Sequence, residues 1–498
     1  MSGIFLGIDL GTTGIKVILM QADGKVVDKN YADYPILTPR PDYAEQNPQD
    51  WWNSLCRISK ELLQRNSSLR HSIIGVGITG QMHTQVYLDR EGNSLGTAIT
   101  WMDQRTQAMV DQINQVHKET IFQHTSNYLT TTYTAPHILW VKRNRPELYA
   151  KTAKILLAKD YLKYRLTGEM VTDYSDAAGT LLFDVGAKRW SQEMFGLFEI
   201  DESLMPAVGK SALVIGRITA EAAQATGIPE GVPVINGCAD HAATSLGAGV
   251  INPGDVSAIV GTAGVVSVLS DQPVPDERYG SLCWNYCLED RWINLAVMQT
   301  AGESLNWFKR AFDGEDEDGV FDTYNLEAAK VPEGSGGLVF LPYLMGERNP
   351  YWDPQARGVF FGIGLGHNKY HFVRAVMEGV GFAFKNNLEL IESLGVEVGE
   401  LRLLGGGAKS PLWRELLARI LNRRMKTVQV EETGALGSCL LCGSALGLFT
   451  DLEAASRSLV NLGDEYYCSE MPGVYKTNYE IFKELYPSLR GLYQRMTD

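Results

Sequence analysis

A carboxylate, Asp9, stands just before a glycine-threonine turn at Gly11, Thr12, Thr13 and Gly14, and a second turn, Gly261-Thr262-Ala263-Gly264, follows 250 residues later. Each lies between two apolar runs. Glycine lets the backbone fold tightly enough to aim its N–H groups into one concavity, and threonine adds a hydroxyl donor, so each turn can hold phosphate oxygens. Two such hairpins facing one another could grip one nucleotide. Asp9 could hold magnesium beside those phosphates, directly or through water, and Lys16 would add positive charge to the same oxygens. The plainer alternatives are an ordinary strand-reversal hairpin and a turn-capping aspartate.

Asp240 follows the strand-like run Val232–Ile235 and precedes a small-residue helix. There it could accept a hydroxyl proton as that oxygen attacks a γ-phosphate, the base role in phosphoryl transfer to an alcohol. A helix N-cap fits the same position. Gln81, Met82 and His83 end another strand, where they could read the hydroxyls of a small polar ligand, and Asp103 and Arg105 in W-M-D-Q-R could complete a polar cluster. The glycine turn at 405–407, ahead of Ala408 and a helix, would let a flat ring such as adenine approach the backbone; a packing turn is the alternative. Neither P-loop spacing nor a Rossmann fingerprint is present.

The elements that must carry these residues follow from periodicity. Ile4–Leu10 and Ile15–Met20 read as strands, with a third near Val26. Trp51, Trp52, Leu55, Ile58, Leu62 and Leu63 recur at helical spacing, and Ile73–Thr79 returns as a buried strand. The plan recurs with strands at Val256–Val260, Val265–Leu269 and Trp292–Val297 and helices at His371–Leu394 and Pro411–Arg423. At the 250-residue offset, Gly11, Thr12, Gly14 and Leu19 fall on Gly261, Thr262, Gly264 and Leu269, the trace of a duplicated lobe. These features predict an α/β protein of two ribonuclease-H-like domains, residues 1–250 and 251–498, with a cleft between them. The expected hinge is the cluster Gly247, Gly249, Pro253 and Gly254.

With 498 residues, 45% hydrophobic and 21% charged, the chain can build two large cores. Its net charge of −14 argues against a nucleic-acid binder, and no apolar stretch approaches a membrane span, so a cytoplasmic protein is expected. Seven cysteines form no disulfide framework, and Cys439 and Cys442 read as helix packing rather than metal ligands.

Taken together, these segments resemble the FGGY carbohydrate kinases, within the actin, Hsp70 and sugar kinase superfamily. The most specific stretch is GVFFGIGLGHNKYHFVRAVMEG at 358–379, which fits the family's C-terminal signature at full spacing. The resemblance implies ATP and magnesium as cofactors, with Asp9 through Lys16 as the first phosphate motif, Gly261 and Thr262 as the second, and Gly405–Ala408, including Gly406 and Gly407, as the adenosine motif. It also implies Gly302 and Asn306 near the nucleotide and Asp240 as catalytic base. Gln81-Met82-His83, YTAP at 133–136, LAKDYLKYRLTGE at 157–169 and SDAAGT at 175–180 are most similar to members that act on D-xylulose, which implies a ketopentose acceptor. His137 stands where the family has lysine, and His241 where those members commonly have asparagine beside the aspartate, a position that can touch the sugar. Gluconate or polyol kinases of the same family share the Met-His pair, and an actin- or Hsp70-like conformational ATPase is the alternative from another class. A homodimer is a family expectation.

Overall fold

In the computed structural model, which describes residues 3–314, 319–430 and 432–496, two mixed sheets organise the chain. The first contains β1 (Ile4–Leu10), β2 (Gly14–Gln21), β3 (Val26–Asp33), β4 (Ile73–Gly80), β5 (Val214–Arg217), β6 (Pro233–Ile235) and β7 (Cys238–Ala239). Their order is β5-β6-β4-β1-β2-β3, with β7 also paired to β4. The second contains β8 (Val256–Val260), β9 (Gly264–Ser270), β10 (Leu282–Asn285), β11 (Trp292–Met298), β12 (Leu401–Leu404), β13 (Met425–Val428) and β14 (Leu462–Tyr466), in the order β10-β11-β9-β8-β12-β13-β14. The sub-sheets β3-β2-β1-β4 and β11-β9-β8-β12 share one wiring, three antiparallel strands and then a parallel neighbour. That is the duplication the 250-residue offset implied.

The strands read as continuous apolar runs because both faces of each sheet are covered. On one face of the first sheet lies α1 (Pro48–Arg65), started by Asn47, whose side chain accepts from the Gln49 N–H, and by proline at its first position. Its Trp51, Leu55, Ile58 and Leu62 are fully buried against β1 and β2. The other face is covered by α2 (Asp240–Gly247) and, from the far end of the sequence, a helix spanning Thr433–Ala445. The remaining helices that matter for the site are α3 (Gly302–Phe312), α4 (Lys369–Glu392) and α5 (Pro411–Leu421); Thr433–Ala445 is α6.

The seat of α6 is written in glycine. Gly7 lies opposite Gly77 in the β1/β4 register, and Gly75 lies opposite Phe5. A Cβ on Gly77 would sit 2.3 Å from the Ser438 carbonyl oxygen, and one on Gly75 would sit 2.6 Å from the Cys442 sulfur. The two cysteines therefore pack a helix onto a sheet, as their sequence context indicated. One hydrophobic core accordingly joins Phe5, Ile235 and Leu246 to Cys439 and Leu440, so along α6 the cores do not follow the halves of the sequence.

Strand ends line up where chemistry was expected. In parallel register, Leu10 pairs with Gly80, and Gly80 with Ala239. Gly11 and Asp240 thus leave the carboxyl ends of neighbouring strands at the same level. In the second sheet Ile259 pairs with Leu404, which brings Gly261 and Gly405 to the corresponding edge. Carboxyl ends of parallel strands are where α/β sheets collect ligands.

Candidate active site

Two cavities meet at the second glycine-threonine turn. Gly261 and Thr262 line one of about 600 Å³ built wholly from residues 260–413, and the adjoining Ala263 lines another of about 250 Å³ that takes in Met82, His83, Trp101, Asp240 and His241. One short turn is therefore a wall of both.

The larger cavity collects Gly302, Asn306, Gly406 and Gly407 between Phe321 and Trp413. Gly302 begins α3 and donates its N–H to the Gly261 carbonyl at 2.7 Å; a Cβ there would lie 2.6 Å from that oxygen. Gly405, at φ +87°, sits just as tightly on the Val260 carbonyl, where only glycine fits. Ala408 packs against the second core and is not part of the cavity wall. Flat apolar walls with a glycine floor suit a heteroaromatic ring.

In the smaller cavity Asp240 occupies the first turn of α2, while the N-cap position is Ala239 and carries no side-chain cap. Among the described residues the carboxylate accepts from the adjoining His241 N–H, at 2.7 Å. Burial, and then the charge of Asp9, push its pKa up to about 7. His83 adopts a left-handed backbone at φ +65°, a strained state for a non-glycine residue, and its Nδ1 lies 2.5 Å from the Gly179 carbonyl oxygen. A carbonyl only accepts, so Nδ1 carries the proton. Burial lowers the His83 pKa to about 4, which leaves a neutral ring whose Nε2 lone pair can accept a hydroxyl hydrogen. Its ring stands edge-on to Tyr133 and Trp284, at centroid distances of 5.2 and 5.5 Å. His241 also lines this cavity, its Nε2 buried without a partner.

The first turn connects to the same cavity through Trp101, whose indole N–H donates to the Thr12 hydroxyl oxygen at 2.9 Å. With its oxygen so engaged, the Thr12 O–H is free to donate outward. Gly11 is pinned by the Tyr34 hydroxyl, which donates to its carbonyl, and Thr13 is exposed. Lys16 forms an ion pair with Glu432, which also pairs with Lys29 at 2.7 Å. That glutamate heads α6, so Lys16 ties the first sheet to the far half of the sequence. Asp9 faces Lys16 in register, and burial raises its pKa to about 6 against the pull of that lysine.

Asp9 accepts no hydrogen bond from the described residues and lies close enough to Asp240 to raise its pKa, a pair that a cation would relieve. Among the described residues no group of three acidic, histidine or cysteine side chains is gathered that could cage a metal. The fit is to magnesium, which is held by one or two carboxylates plus phosphates and water rather than by a protein cage.

Three expected site residues lie behind the cavity wall. Asp103 is fully buried, accepts the Ala44 N–H at 2.7 Å and pairs with Arg105, which also reaches Glu45 at 2.6 Å and stacks on Tyr43. His137 stands 4.0 Å from Asp103 in this same network, away from the acceptor. Gln81 donates to Gln46, which in turn donates to the Thr12 carbonyl, so it supports the turn rather than lining the pocket. Conversely, Tyr133, Trp284, Arg348 and Trp352 line the smaller cavity without having been read from the sequence. Tyr133 opens the YTAP stretch, Trp284 lies on β10, and Arg348 and Trp352 share one loop, so no single sequence pattern gathers them.

Comparison with known proteins agrees with this architecture. Residues 4–247 match the N-terminal domain, and residues 256–446 the C-terminal domain, of the FGGY family of carbohydrate kinases. The chain is 33% identical to a xylulose kinase of Bacillus subtilis over 98% of its own length and 97% of that protein. Among solved structures, a xylulose kinase of Rhodospirillum rubrum superposes with a TM-score of 0.91 at 29% identity, covering 98% of this chain and 99% of that one. A gluconate kinase of Lactobacillus acidophilus superposes with a TM-score of 0.93 at 26% identity over 100% of both chains. The chain belongs to the FGGY family of carbohydrate kinases.

Proposed function

We propose that this kinase transfers the γ-phosphoryl group of ATP to a terminal hydroxyl of a ketopentose, converting D-xylulose to D-xylulose 5-phosphate. The observation that carries the reading is the shared turn: Gly261 and Thr262 border the larger cavity while Ala263 borders the one containing Asp240. A nucleotide in the first would present its terminal phosphate toward a hydroxyl held in the second.

Asp240 accepts the hydroxyl proton as the oxygen bonds to the γ-phosphorus and the bond to the β-phosphate oxygen breaks, releasing ADP. A base tuned near neutrality suits that task. The Thr12 hydroxyl and the N–H groups of both turns stabilise charge on the transferring phosphoryl group. His83 Nε2 accepts from a second sugar hydroxyl and orients the acceptor. Magnesium, held by Asp9, would neutralise phosphate charge when bound. Closure of the halves over the aromatic walls of the acceptor cavity would exclude water, which would otherwise compete as a nucleophile.

A panel of D-xylulose, L-xylulose, D-ribulose, L-ribulose, gluconate, glycerol and erythritol with coupled ADP detection tests the reading. D-Xylulose is expected to give the highest kcat/KM, and Asp240→Asn to lower its turnover by about 10²–10⁴-fold while still binding ATP. Unchanged turnover in that variant removes Asp240 from the role. Gluconate is the second reading, favoured by the full-length superposition on a gluconate kinase. An acceptor cavity beside the nucleotide cavity argues against a filament- or client-type ATPase, for which ADP release would respond to protein concentration rather than to sugars.

A further inference from the structure

Arg348 is an arginine whose guanidinium makes no hydrogen bond or ion pair with any described residue, although it enters the wall of the acceptor cavity and of an outer cavity of about 430 Å³ that shares Gln299 and Trp352 with it. Its backbone, by contrast, is firmly stitched down. The Arg348 and Gln299 N–H groups both donate to one oxygen of Glu347, at 2.7 and 3.0 Å, and the neighbouring Asn349 exchanges hydrogen bonds with Val297 on β11. Gln299 and Val297 are themselves cavity wall, so the backbone that carries the arginine is held at the cavity before any ligand arrives.

The adjoining carboxyl does not neutralise it. Burial pushes Glu347 up to about 8, which leaves it largely protonated near pH 7, and its other oxygen is buried without a partner. The charge of Arg348 is felt by Glu347, whose rise by burial outweighs that pull, and by His83, Tyr133 and Tyr128, whereas the charge felt by Asp240 is that of Asp9. The cavity therefore has an acidic end at the phosphate turns and a cationic end away from them. A planar fork of N–H donors carried on a firmly held backbone is matched by an sp² oxygen, and a neutral hydroxyl is a poorer acceptor for it.

We infer that Arg348 is the specificity-determining residue of the acceptor cavity, donating to a carbonyl or carboxylate oxygen at the end of the acceptor opposite the hydroxyl that faces Asp240. This rests on the kinase reading above and narrows it: the acceptor is a ketose or a sugar acid, and the corresponding alditol is discriminated against.

The test compares D-xylulose, gluconate and xylitol in the full-length protein and in Arg348→Lys and Arg348→Met, by kcat and KM and by quenching of the tryptophans in the cavity without nucleotide. The native protein is expected to prefer one of the first two over xylitol by about 100-fold or more in kcat/KM, with the better one identifying the source of the sp² oxygen. Arg348→Met should erase most of that preference, chiefly through KM, with ATP binding retained as evidence of folding and with xylitol affected far less. Arg348→Lys, keeping charge but not the fork, should recover only part. A preference that survives Arg348→Met, or an equal loss for all three acceptors, overturns the inference. Native protein that binds D-xylulose or gluconate but phosphorylates neither defeats the kinase reading alone, since quenching still reports on Arg348. Native protein that binds none of the three defeats both.

Discussion

His83 fixes its own chemistry through one hydrogen bond: the Gly179 carbonyl claims the Nδ1 proton, so the ring can offer the acceptor only a lone pair at Nε2. His83→Ala should therefore raise the KM for sugar well above any change in the KM for ATP, by roughly tenfold for one lost hydrogen bond. Steady-state kinetics with each substrate varied checks this; an equal rise in both constants counts against a positioning role. Gly179 is part of the same device, because a Cβ there would lie 2.9 Å from the Met82 methyl and 3.0 Å from the His83 ring. Asp240 makes an opposite trade. Its pKa is 3.8 in an unfolded chain and about 7 in the folded one, so it favours the folded state fully below 3.8 and that support is lost as pH rises through 7. Asp240→Asn should consequently melt higher than the native protein near pH 8, by roughly 2 kcal/mol after allowance for partial exposure, and the gap should close as pH falls toward 4. Calorimetry of the nucleotide-free protein across that range decides it, and a variant no more stable at alkaline pH would show that the site does not strain its acid.

Elements were legible where local chemistry fixes them. Continuous apolar runs marked the strands around both turns, a period of 3.6 marked the helix Pro48–Arg65, and glycine beside threonine marked the turns themselves, because few other residues tolerate that backbone. What could not be read locally is partnership. Nothing local distinguishes the glycines at 7, 75 and 77 from other strand glycines; the carbonyl and sulfur atoms they accommodate belong to α6, more than 350 residues further on. Asp103 and Arg105, two residues apart in a loop, read as a ligand cluster, yet that spacing lets them satisfy each other. Two predictions belong at this scale. A Cβ on Gly437 would lie 2.0 Å from the Ala243 carbonyl of α2, so Gly437→Ala should cost about 2 kcal/mol or more and disturb the helix that begins with Asp240. Gly491→Ala, in a helix with nothing within 4 Å of the added carbon, should instead gain about 0.5–1 kcal/mol, which makes it the control for a generic glycine effect. The strand before Asp240 is held by a polar chain: the Ala239 N–H donates to Ser175 at 3.0 Å and Ser175 donates to Asp173 at 2.6 Å, with Lys159 3.1 Å from that aspartate. Ser175→Ala leaves a buried N–H unpaired, at a cost of about 1–3 kcal/mol, and should lower kcat while leaving the KM for ATP unchanged. A full-speed Ser175→Ala enzyme would mean that the strand end keeps its place without the chain.

At the scale of the molecule, the two cavities differ in who builds them. The larger is made entirely of residues 260–413, whereas the smaller takes Met82, His83, Trp101 and Asp240 from the first half and Ala263, Trp284 and Arg348 from the second. A ligand in the first stabilises one half directly; a ligand in the second must hold both halves together. Lys16 and Lys29 on the first sheet already clasp Glu432 from across the sequence, but an ion pair with one side chain so exposed contributes little on its own. The acceptor is therefore the stronger link between the halves. At about 100 times its dissociation constant, either ligand adds roughly 2.7 kcal/mol to the state that binds it, so the difference lies in where that energy appears. Non-hydrolysable ATP should protect amides of β8, β12 and α5 from hydrogen exchange while leaving β1 and β4 as they were. The acceptor alone should slow exchange on both sides, at the ends of β4 and β11 together. Exchange measured with each ligand separately distinguishes the cases. If nucleotide alone protected both halves as fully as acceptor does, the nucleotide rather than the sugar would be what closes the cleft.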